Sequence, residues 1–360
     1  MDAKIDRILS KFDFGSCVTA YELFGNGHIN WTYRVETENG DLYVLQRINT
    51  YVFQDPVGLM RNIELLTNFM REKEHDPRKV LELVPAKDGS SFVVTEDDEY
   101  WRVYVFVKDS ICYDTAETPE LFKESGRAFG NFQNILSDFP VSTLIETIPD
   151  FHNTPARYAA FEKAVEEDSA KRVSGVRADI ENYLSEKTFA SFLLDKAAAG
   201  EIPMRVTHND TKINNVLFDR YTNQALCIVD LDTTMPGFAA MDFGDCIRYA
   251  GNNGAEDERD LDKVFLRMDL FRTFAEGFCG VCAKNLSRSE LILCPEAAKL
   301  ITLETGLRFL TDYLQGDVYF HTAFPEHNLV RARTQFKLAM DMDANLNAMR
   351  EIIVSILDAR

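Results

Sequence analysis

Residues 205–237 read RVTHNDTKINNVLFDRYTNQALCIVDLDTTMPG and contain two short apolar runs, VLF and ALCIV. The residues between them, DRYTNQ, are polar and turn-prone, so the pattern predicts an antiparallel hairpin. Asn215 precedes the first predicted strand, Asp230 follows the second, and Asp232 lies on the same side. Because these ends are neighbours in an antiparallel pair, amide and carboxylate oxygens are expected to converge there. Mg²⁺ suits such a site, since it takes one or two carboxylates and completes its shell with water and phosphate.

The residues before this hairpin match the spacing of a kinase catalytic loop. His208-x-Asp210-x-x-x-x-Asn215 follows the order H-R-D-x-x-x-x-N, in which the Asp orients the attacking hydroxyl and accepts its proton. Lys212 is placed to bring a cation to the transferring phosphoryl group. The chain carries 39 Lys and Arg against 58 Asp and Glu, a formal charge of -19. An anionic substrate therefore needs local positive charge, which a metal ion and Lys212 would supply.

A second chemistry fits part of the same stretch. Asp230-Leu-Asp232 after an apolar run is also typical of haloacid-dehalogenase-type phosphatases, in which the first Asp forms an aspartyl-phosphate and the second acts as general acid. That fold usually carries the motif near its N-terminus, followed by β/α units. Here 229 residues precede the motif and the remaining chain has a helical pattern, so this alternative is the weaker one.

The rest of the chain changes its periodicity near residue 112. Before it lie the β-like runs SCVTAYELF, INWTYRVET, DLYVLQRI, SFVVTE and YWRVYVFV, with one helical stretch, PVGLMRNIELLTNFMRE, and an Asn39-Gly40 hairpin signal. Beyond it, 3.6-residue periodicity dominates. We therefore expect an α+β protein with a small β-rich N-terminal lobe, 1–107, that binds nucleotide. A larger, mostly helical lobe, 108–360, would carry catalysis and substrate binding, and the join would lie near Val107–Cys112.

Composition narrows the partners and the compartment. No stretch approaches the ~20 apolar residues that a membrane span needs. The negative charge disfavours nucleic acid and membrane surfaces as partners. The first residues predict an amphipathic helix without an export signal, and seven scattered cysteines indicate a reducing compartment, so a cytoplasmic location is expected. Cys279 and Cys282 form a lone CxxC and are interpreted as buried helix cysteines.

Two further motifs are weaker. Phe24-Gly25-Asn26-Gly27-His28 lies between β-like runs, so the backbone at Gly25 and Gly27 could close over phosphates, although an ordinary turn explains it equally well. No GxxxxGK(S/T) motif is present, which excludes a P-loop. Asp242-Phe243-Gly244 heads a predicted helix, and Asp242 is predicted to cap that helix or to brace the catalytic loop.

The segments THNDTKINN and IVDLDT resemble the aminoglycoside phosphotransferase and choline kinase superfamily, whose fold is protein-kinase-like and bilobal. The chain is most similar to bacterial N-acetylhexosamine 1-kinases. This similarity extends over nearly the whole chain and includes GNGHINWTY, LMRNIELL, WRVYVF, SGRAFGNFQNILSDF, DFGDCIRYA, TGLRFLTDYLQGDVYF and EHNLVRARTQFKL.

The resemblance implies ATP- and Mg²⁺-dependent phosphorylation of an amino sugar, GlcNAc or GalNAc, at its C1 hydroxyl to give the α-1-phosphate. It implies that Asp210 is the catalytic base and that Asn215 and Asp230 are metal ligands, with Asp232 a second acidic position. It also implies four sugar contacts: His28, Tyr249, Arg308 and Tyr319. The alternative for the two tyrosines is packing in the core, and the alternative for Arg308 is an ion pair with an acidic neighbour.

One position departs from the kinase pattern. In kinase-like folds a strand Lys paired with a helix Glu reaches the nucleotide phosphates, but this strand reads YVLQR and has Gln46 at that place. Glu64 is the matching helix residue. Either Arg47 turns to the phosphates, or nucleotide binding depends more on backbone and metal, and strand alternation lets only one of Gln46 and Arg47 point inward. Adenine is expected at the lobe junction, near Phe106–Val107.

Three functional hypotheses remain from the sequence. The first is a sugar 1-kinase, and the second is a related kinase for an aminoglycoside, a choline-like alcohol or another sugar. The third is a kinase-shaped binding module without catalysis, suggested by the missing strand Lys. The presence of Asp210, Asn215 and Asp230 together argues against the third, because a pure binder gains little from a costly cluster of carboxylates. The oligomeric state and the choice between ATP and GTP are left open.

Overall fold

The structure is a computed structural model that describes residues 2–24 and 31–359. Its strands are β1 Val18–Leu23, β2 Trp31–Thr37, β3 Leu42–Arg47, β4 Val93–Val94, β5 Tyr100–Val105, β6 Ser110–Ile111, β7 Arg205–Thr207, β8 Val216–Asp219, β9 Ala225–Ile228 and β10 Met235–Gly237. Its helices are α1 Ala3–Leu9, α2 Pro56–Lys73, α3 Pro119–Ile135, α4 Thr154–Glu167, α5 Arg177–Ser185, α6 Phe192–Ala198, α7 Ala239–Ala250, α8 Met268–Cys282, α9 Arg288–Leu291, α10 Cys294–Gln315, α11 His327–Ala344 and α12 Leu346–Asp358. The predicted α+β class is confirmed.

The chain divides into two compact units, and each is discontinuous in sequence. The first unit comprises Met1–Cys112, Asp138–Pro149 and Val216–Met235. The second comprises Tyr113–Ser137, Asp150–Asn215 and Pro236–Arg360. Two later segments of the chain therefore belong to the first unit, and one of them carries the hairpin.

An antiparallel five-stranded sheet in the order β1-β2-β3-β5-β4 forms the centre of the first unit. The predicted turn between β2 and β3 contains Gly40 at φ 78°, a conformation that glycine adopts without steric cost. Val35, Leu45 and Val103 are fully buried in the unit's core. Alternation along β3 places Gln46 and its neighbour Arg47 on opposite faces, which decides what each side chain can contact.

The decisive hairpin forms as predicted. β8 and β9 are antiparallel, with Val216 opposite Ile228 and Leu217 opposite Cys227. The turn is held by Asp219, whose Oδ1 accepts the backbone N–H groups of Tyr221 and Thr222, both at 3.0 Å. The sequence did not predict a third strand here, but β6 pairs with the other edge of β8. Val216 and Ile228 form the last pair of this ladder, and the polar residues next to them in the chain are Asn215 and Asp230.

Helices dominate the second unit. The 22-residue α10 is buried along most of its length and contacts α4, α7 and α11. Close approach on one side requires a glycine: a Cβ added at Gly244 of α7 would lie 2.8 Å from the carbonyl oxygen of Ala297 in α10. The absence of a side chain at Gly244 thus lets α7 pack closely against α10. This packing sets the position of the acidic residues of α7 that contact the catalytic loop.

The CxxC residues Cys279 and Cys282 are both fully buried in α8, which confirms them as buried helix cysteines. Close packing of α8 on α3 depends on small residues, since a Cβ at Gly130 would lie 2.6 Å from the carbonyl oxygen of Phe278. Among the described residues, no helix combines the length and apolar character needed to cross a membrane.

Candidate active site

The second unit brings together the residues of the predicted catalytic loop. The Lys212 ammonium lies 2.8 Å from Asp210 Oδ1. Asn215 Nδ2 donates to Asp210 Oδ2 at 3.1 Å and to the Asp210 carbonyl oxygen at 2.8 Å. Because both partners are acceptors, they determine the orientation of the Asn215 amide and turn Oδ1 away from Asp210. Within residues 2–24 and 31–359 no group donates to that Oδ1, so it is available to a cation.

The electrostatics of this loop favour an ionised carboxylate. Burial alone would raise the pKa of Asp210, but the charge and hydrogen bond of Lys212 outweigh it, and the pKa lies below its ordinary value. Burial would lower the pKa of Lys212, whereas the Asp210 charge raises it above the ordinary range. Asp210 is thus an unprotonated acceptor beside a permanent cation at neutral pH.

The loop is braced by Asp242, as the sequence predicted. Its carboxylate accepts the backbone N–H groups of His208 and Asn209, both at 2.9 Å, and the side-chain amide of Gln133 at 2.8 Å. Asp242 lies in the first turn of α7 and is buried. His208 itself is fully buried, with its ring edge-on to Phe129. Asp242 is therefore a structural anchor of the loop.

Asp245, one helical turn further along α7, is a second anchor that the sequence did not reveal. Its Oδ2 accepts the backbone N–H of Thr211 at 3.0 Å. Its Oδ1 lies 2.8 Å from the guanidinium of Arg248, which also pairs with Glu256 at 3.0 Å. The i,i+3 spacing of Asp242 and Asp245 puts both carboxylates on one face of α7, and together they hold the backbone from residue 208 to 211.

His152 forms a third support for the loop, also missed from the sequence. Its Nδ1 lies 2.7 Å from Glu304 Oε1, and its Nε2 lies 3.3 Å from the carbonyl oxygen of Asn209. Thr154 Oγ1 donates to the other Glu304 oxygen at 2.6 Å. Because both ring nitrogens face acceptors, the arrangement is satisfied by a doubly protonated, charged imidazole.

This histidine predicts a pH dependence of stability. Burial alone would lower the pKa of His152, but Glu304, aided by Asp245 and opposed by Arg308, raises it above the ordinary value of 6.5. The stabilisation is thus fully present below about pH 6.5 and is lost as the pH rises through the folded-state pKa. We expect the gap in unfolding free energy between wild type and His152→Gln to shrink with rising pH, as urea unfolding would measure.

The control is His75→Gln, which removes an exposed histidine. A gap for His152→Gln that stays constant or widens between about pH 6 and pH 9 would contradict a charged His152.

Two of the predicted sugar contacts meet in the second unit. The Arg308 guanidinium lies 5.9 Å from the ring centroid of Tyr319, 5.2 Å from that of Phe151 and 5.5 Å from that of Phe320. Within the described part of the chain Arg308 forms no ion pair, so the acidic partner considered as an alternative is absent there. Tyr319 is 53% exposed and is not a core aromatic. This aromatic–arginine group (Phe151, Arg308, Tyr319, Phe320) leaves guanidinium donors for a ligand.

The segment that carries Tyr319 is held by one buried carboxylate. Asp312 accepts the backbone N–H groups of Val318, Tyr319 and Phe320 at 2.9, 2.8 and 3.0 Å. The side-chain amide of Asn328 donates to the same carboxylate at 2.9 Å. Four donors on one carboxylate fix this segment at the end of α10.

Of the other predicted sugar contacts, Tyr249 lies beside the catalytic loop, with Lys212 Nζ 5.9 Å from its ring centroid. It is half-buried at the end of α7. His28, Gly25 and Gly27 lie outside the described residues, so their predicted roles remain predictions.

In the first unit the two acidic residues after the hairpin have different environments. Asp230 is exposed and adopts the left-handed conformation, with φ 59° and ψ 59°. Asp232 is 1% exposed, and its carboxylate receives two hydrogen bonds from Arg102, at 2.5 and 3.0 Å. Arg102 lies opposite Gln46 in the β3–β5 ladder. Arg102 was not singled out from the sequence, because nothing in a strand pattern shows which distant carboxylate a strand residue will meet.

The remaining predicted nucleotide contacts also belong to the first unit. Arg47 pairs with Glu99 at 2.8 Å and lies 5.1 Å from the Trp31 ring centroid, on the face opposite Gln46. Glu64 of α2 is half-buried and forms no ion pair within the described residues. These placements favour the alternative in which nucleotide binding depends more on backbone and metal than on Arg47.

At the predicted adenine position, Phe106 is in edge-to-face contact with Phe24, with ring centroids 6.0 Å apart. Its backbone N–H donates to the Leu42 carbonyl oxygen at 3.0 Å. The Val107 carbonyl oxygen accepts from the Ser110 hydroxyl at 2.7 Å. An aromatic pair therefore lines this position.

No group of three or more His, Cys, Asp or Glu side chains in the described ranges is placed to hold a metal ion. A site that joins one amide oxygen and one carboxylate to phosphate and water has a different composition, and it is the kind that Mg²⁺ uses in nucleotide enzymes.

Solved structures show the same fold. An aminoglycoside phosphotransferase from Alicyclobacillus acidocaldarius matches with a TM-score of 0.65 at 14% identity, covering 97% of this chain and 96% of that one. A choline kinase from Cryptosporidium parvum gives 0.58 at 12% identity, with 99% of each chain covered. An amicoumacin kinase in complex with AMP-PNP, Ca²⁺ and Ami gives 0.54 at 14% identity, covering 100% and 94%. The fold is thus kinase-like, with an antiparallel sheet in the N-terminal part and a mostly helical C-terminal part.

The class defined by this fold and catalytic loop is that of the small-molecule phosphotransferases. The profile of the phosphotransferase enzyme family, APH, matches residues 20–274, well over half of the chain, and the protein belongs to that family. Because the matched region includes Asp230 and Asp232, membership in this family excludes the alternative that they form the motif of a haloacid-dehalogenase-type phosphatase.

Proposed function

We propose that this phosphotransferase transfers the terminal phosphoryl group of ATP to the C1 hydroxyl of an N-acetylhexosamine. The observation that carries the proposal is the catalytic loop, in which Asp210 is an ionised acceptor held between Lys212 and Asn215. Asp210 takes the proton of the acceptor hydroxyl, and Lys212 offsets charge on the transferring group. The reaction consumes ATP, and we place it in the cytoplasm.

The metal would be held by Asn215 Oδ1 and the Asp230 carboxylate. Asn215 fits, since its amide nitrogen is occupied by Asp210 and its oxygen is not. Asp230 fits because it is exposed, whereas Asp232 is buried against Arg102. We therefore assign the ligand role to Asp230 and a supporting role to Asp232. When bound, Mg²⁺ neutralises and orients the phosphate oxygens. The amicoumacin kinase, with AMP-PNP and Ca²⁺, supports a nucleotide and a divalent cation as co-substrate and cofactor.

The charge and the aromatic rings of the aromatic–arginine group support this acceptor class. A cationic aminoglycoside or choline-like alcohol would meet the positive guanidinium of Arg308. A neutral sugar offers hydroxyl and acetamide oxygens to the guanidinium and an apolar face to Tyr319 and Phe151. Phe151 is followed in the chain by His152, whose Nε2 contacts the carbonyl oxygen of Asn209 in the loop that carries Asp210. Tyr249, beside Lys212, completes the polar surroundings of the acceptor.

A second candidate is a related kinase for a cationic alcohol. It is favoured by the net charge of -19 and by the kinds of relatives that share the fold. The charge of the whole chain acts at long range and is screened by salt, whereas Arg308 acts at the contact itself. We therefore rank the neutral amino sugar first.

An acceptor screen tests the proposal. ADP release would be measured with ATP and Mg²⁺ against GlcNAc, GalNAc, neutral hexoses, choline and an aminoglycoside. We expect the largest kcat/KM with an N-acetylhexosamine and an acid-labile product, because a C1 phosphate is a glycosyl phosphate. A dominant rate with choline or the aminoglycoside would favour the second candidate, and an acid-stable sugar phosphate would move the reaction away from C1.

The variant Arg308→Gln sharpens this test, with Arg333→Gln as its control, since Arg333 pairs with Asp179 on the surface. Loss of acceptor contacts should raise the KM for the sugar by about tenfold or more and leave the KM for ATP nearly unchanged. An unchanged sugar KM would remove Arg308 from the acceptor site.

A further inference from the structure

Arg102 is a charged residue in the interior of the first unit. It lies in β5 and is 1% exposed. Its partner in the ladder is Gln46 of β3, the residue at the position where a kinase strand carries Lys. A guanidinium has five N–H donors and no acceptor. A buried guanidinium needs partners for these donors, because an unpaired buried charge is strongly destabilising.

Every one of those donors has a partner inside the protein. Nε donates to Gln46 Oε1 at 3.1 Å, and Nη2 donates to the same oxygen at 3.0 Å and to Asp232 Oδ2 at 3.0 Å. Nη1 donates to Asp232 Oδ1 at 2.5 Å and contacts Met60 Sδ at 4.0 Å. The guanidinium thus has no N–H left for a nucleotide phosphate, so it cannot take over the direct contact of the strand Lys.

The partner that Arg102 holds lies in the segment that carries Asp230. Asp232 is pinned at its carboxylate by Arg102 and at its carbonyl oxygen by Thr147 Oγ1, at 2.8 Å. Two residues later, the Thr234 carbonyl oxygen accepts from Asn62 of α2 at 3.3 Å. The segment after the hairpin is therefore tied to the sheet and to α2, while Asp230 projects from it in an exposed, left-handed conformation.

We propose that Arg102 is a positioning residue for the metal ligand Asp230, acting through the buried Asp232 carboxylate. Its guanidinium lies beside the strand position that carries Lys in other kinases, and Gln46 at that position is the acceptor that completes the guanidinium's hydrogen bonds. The proposal rests on the proposed role of Asp230 in metal binding, but it does not depend on which acceptor is phosphorylated. It accounts for Gln at the strand position, since a Lys there would face the guanidinium with a like charge.

Two kinds of variant test it. Arg102→Lys keeps a charge but has a point-like ammonium that cannot hold Asp232 and Gln46 in the same fork geometry. Removing one partner of a buried pair can prevent folding, whereas replacing both with apolar residues is often tolerated. The double variant Arg102→Met/Asp232→Leu therefore tests the same link in a chain that is expected to fold. Arg78→Met is the matched control, because Arg78 pairs with Asp219 at 3.0 Å at the far end of the same hairpin.

The readouts are binding of Mn²⁺ with ATP by calorimetry, which needs no acceptor, and the Mg²⁺ concentration for half-maximal turnover. For Arg102→Lys and the double variant we expect metal affinity or activation to weaken by about 10–100-fold, as when a residue that supports a metal ligand is lost. Metal-free ATP affinity and the acceptor KM should change by less than about threefold, and cooperative thermal unfolding should persist. Arg78→Met should leave all metal constants unchanged.

Three results would overturn the proposal. Unchanged metal constants with lowered thermal stability would make the Arg102–Asp232 pair merely structural. Weakened metal-free ATP binding with unchanged metal constants would make Arg102 a phosphate contact. Normal metal binding in a double variant that folds would show that Asp230 needs no support from Asp232. If the acceptor screen fails for sugars while the metal constants shift as expected, the proposed acceptor is wrong and this inference stands.

Discussion

Asp210→Asn is expected to lower kcat by about 10²–10⁴-fold, the usual contribution of a general base. The substitution preserves the shape of the side chain but replaces an ionised acceptor with a neutral amide. The amide cannot accept the hydroxyl proton, and it ends the 2.8 Å ion pair with Lys212. Since neither Asp210 oxygen is assigned to the nucleotide, the KM for ATP should change by less than about threefold.

The measurement is steady-state ADP release at saturating acceptor, with ATP binding followed separately by calorimetry. Asp262→Asn is the control, since Asp262 is an exposed acidic residue outside the site. Wild-type kcat in Asp210→Asn would exclude Asp210 as the base. Equal losses of turnover and ATP affinity would indicate that the variant has disturbed the loop instead of its chemistry.

Asp230→Asn is expected to have a comparably large effect, but through the metal. The loss of one carboxylate charge should raise the Mg²⁺ concentration for half-maximal activity by about tenfold or more and lower kcat at physiological Mg²⁺. Asparagine is the right replacement because Asp230 has φ 59°, and Asn adopts that left-handed conformation at little cost. A change in metal dependence then cannot be assigned to backbone strain.

The control for this variant is Asp98→Asn, which makes the same change at another left-handed aspartate, φ 55°, in the first unit. Activity of both variants would be titrated with Mg²⁺. If excess Mg²⁺ restores Asp230→Asn towards wild type while Asp98→Asn needs no rescue, the ligand role is supported. An unaltered Mg²⁺ requirement in Asp230→Asn would remove Asp230 from the metal site.

Much of the fold followed from local patterns. Alternating runs predicted the strands β1, β2, β3 and β5, the 3.6-residue period predicted α2 and α3, and the polar DRYTNQ segment predicted the β8–β9 hairpin. The role of Asp242 as a brace was also predictable, because its place at the start of a helix brings its carboxylate towards backbone N–H groups. These features depend on residues close together in the chain, whose relative positions are set by backbone geometry.

The supports of the candidate site could not be predicted in the same way. Arg102 meets Asp232 across 130 positions, His152 meets Glu304 across 152, and Gln133 meets Asp242 across 109. No short-range period marks such pairs, and an Arg in a strand or a His in a loop has many potential partners. Arg47 shows the same difficulty, because its ion-pair partner, Glu99, lies 52 positions away, directly before β5.

The amino-acid sequence by itself determined four strands of the five-stranded sheet, the helices α2 and α3, the β8–β9 hairpin and the spacing of Asp210, Lys212 and Asn215, because these depend on residues that are neighbours in the chain. Only the tertiary structure decided which side chains hold that loop and why two acidic residues, Asp230 and Asp232, differ so strongly. The physical reason is burial: packing of β3, β5 and α2 removes Asp232 and Arg102 from water and obliges them to pair, while Asp230, two residues away, stays exposed.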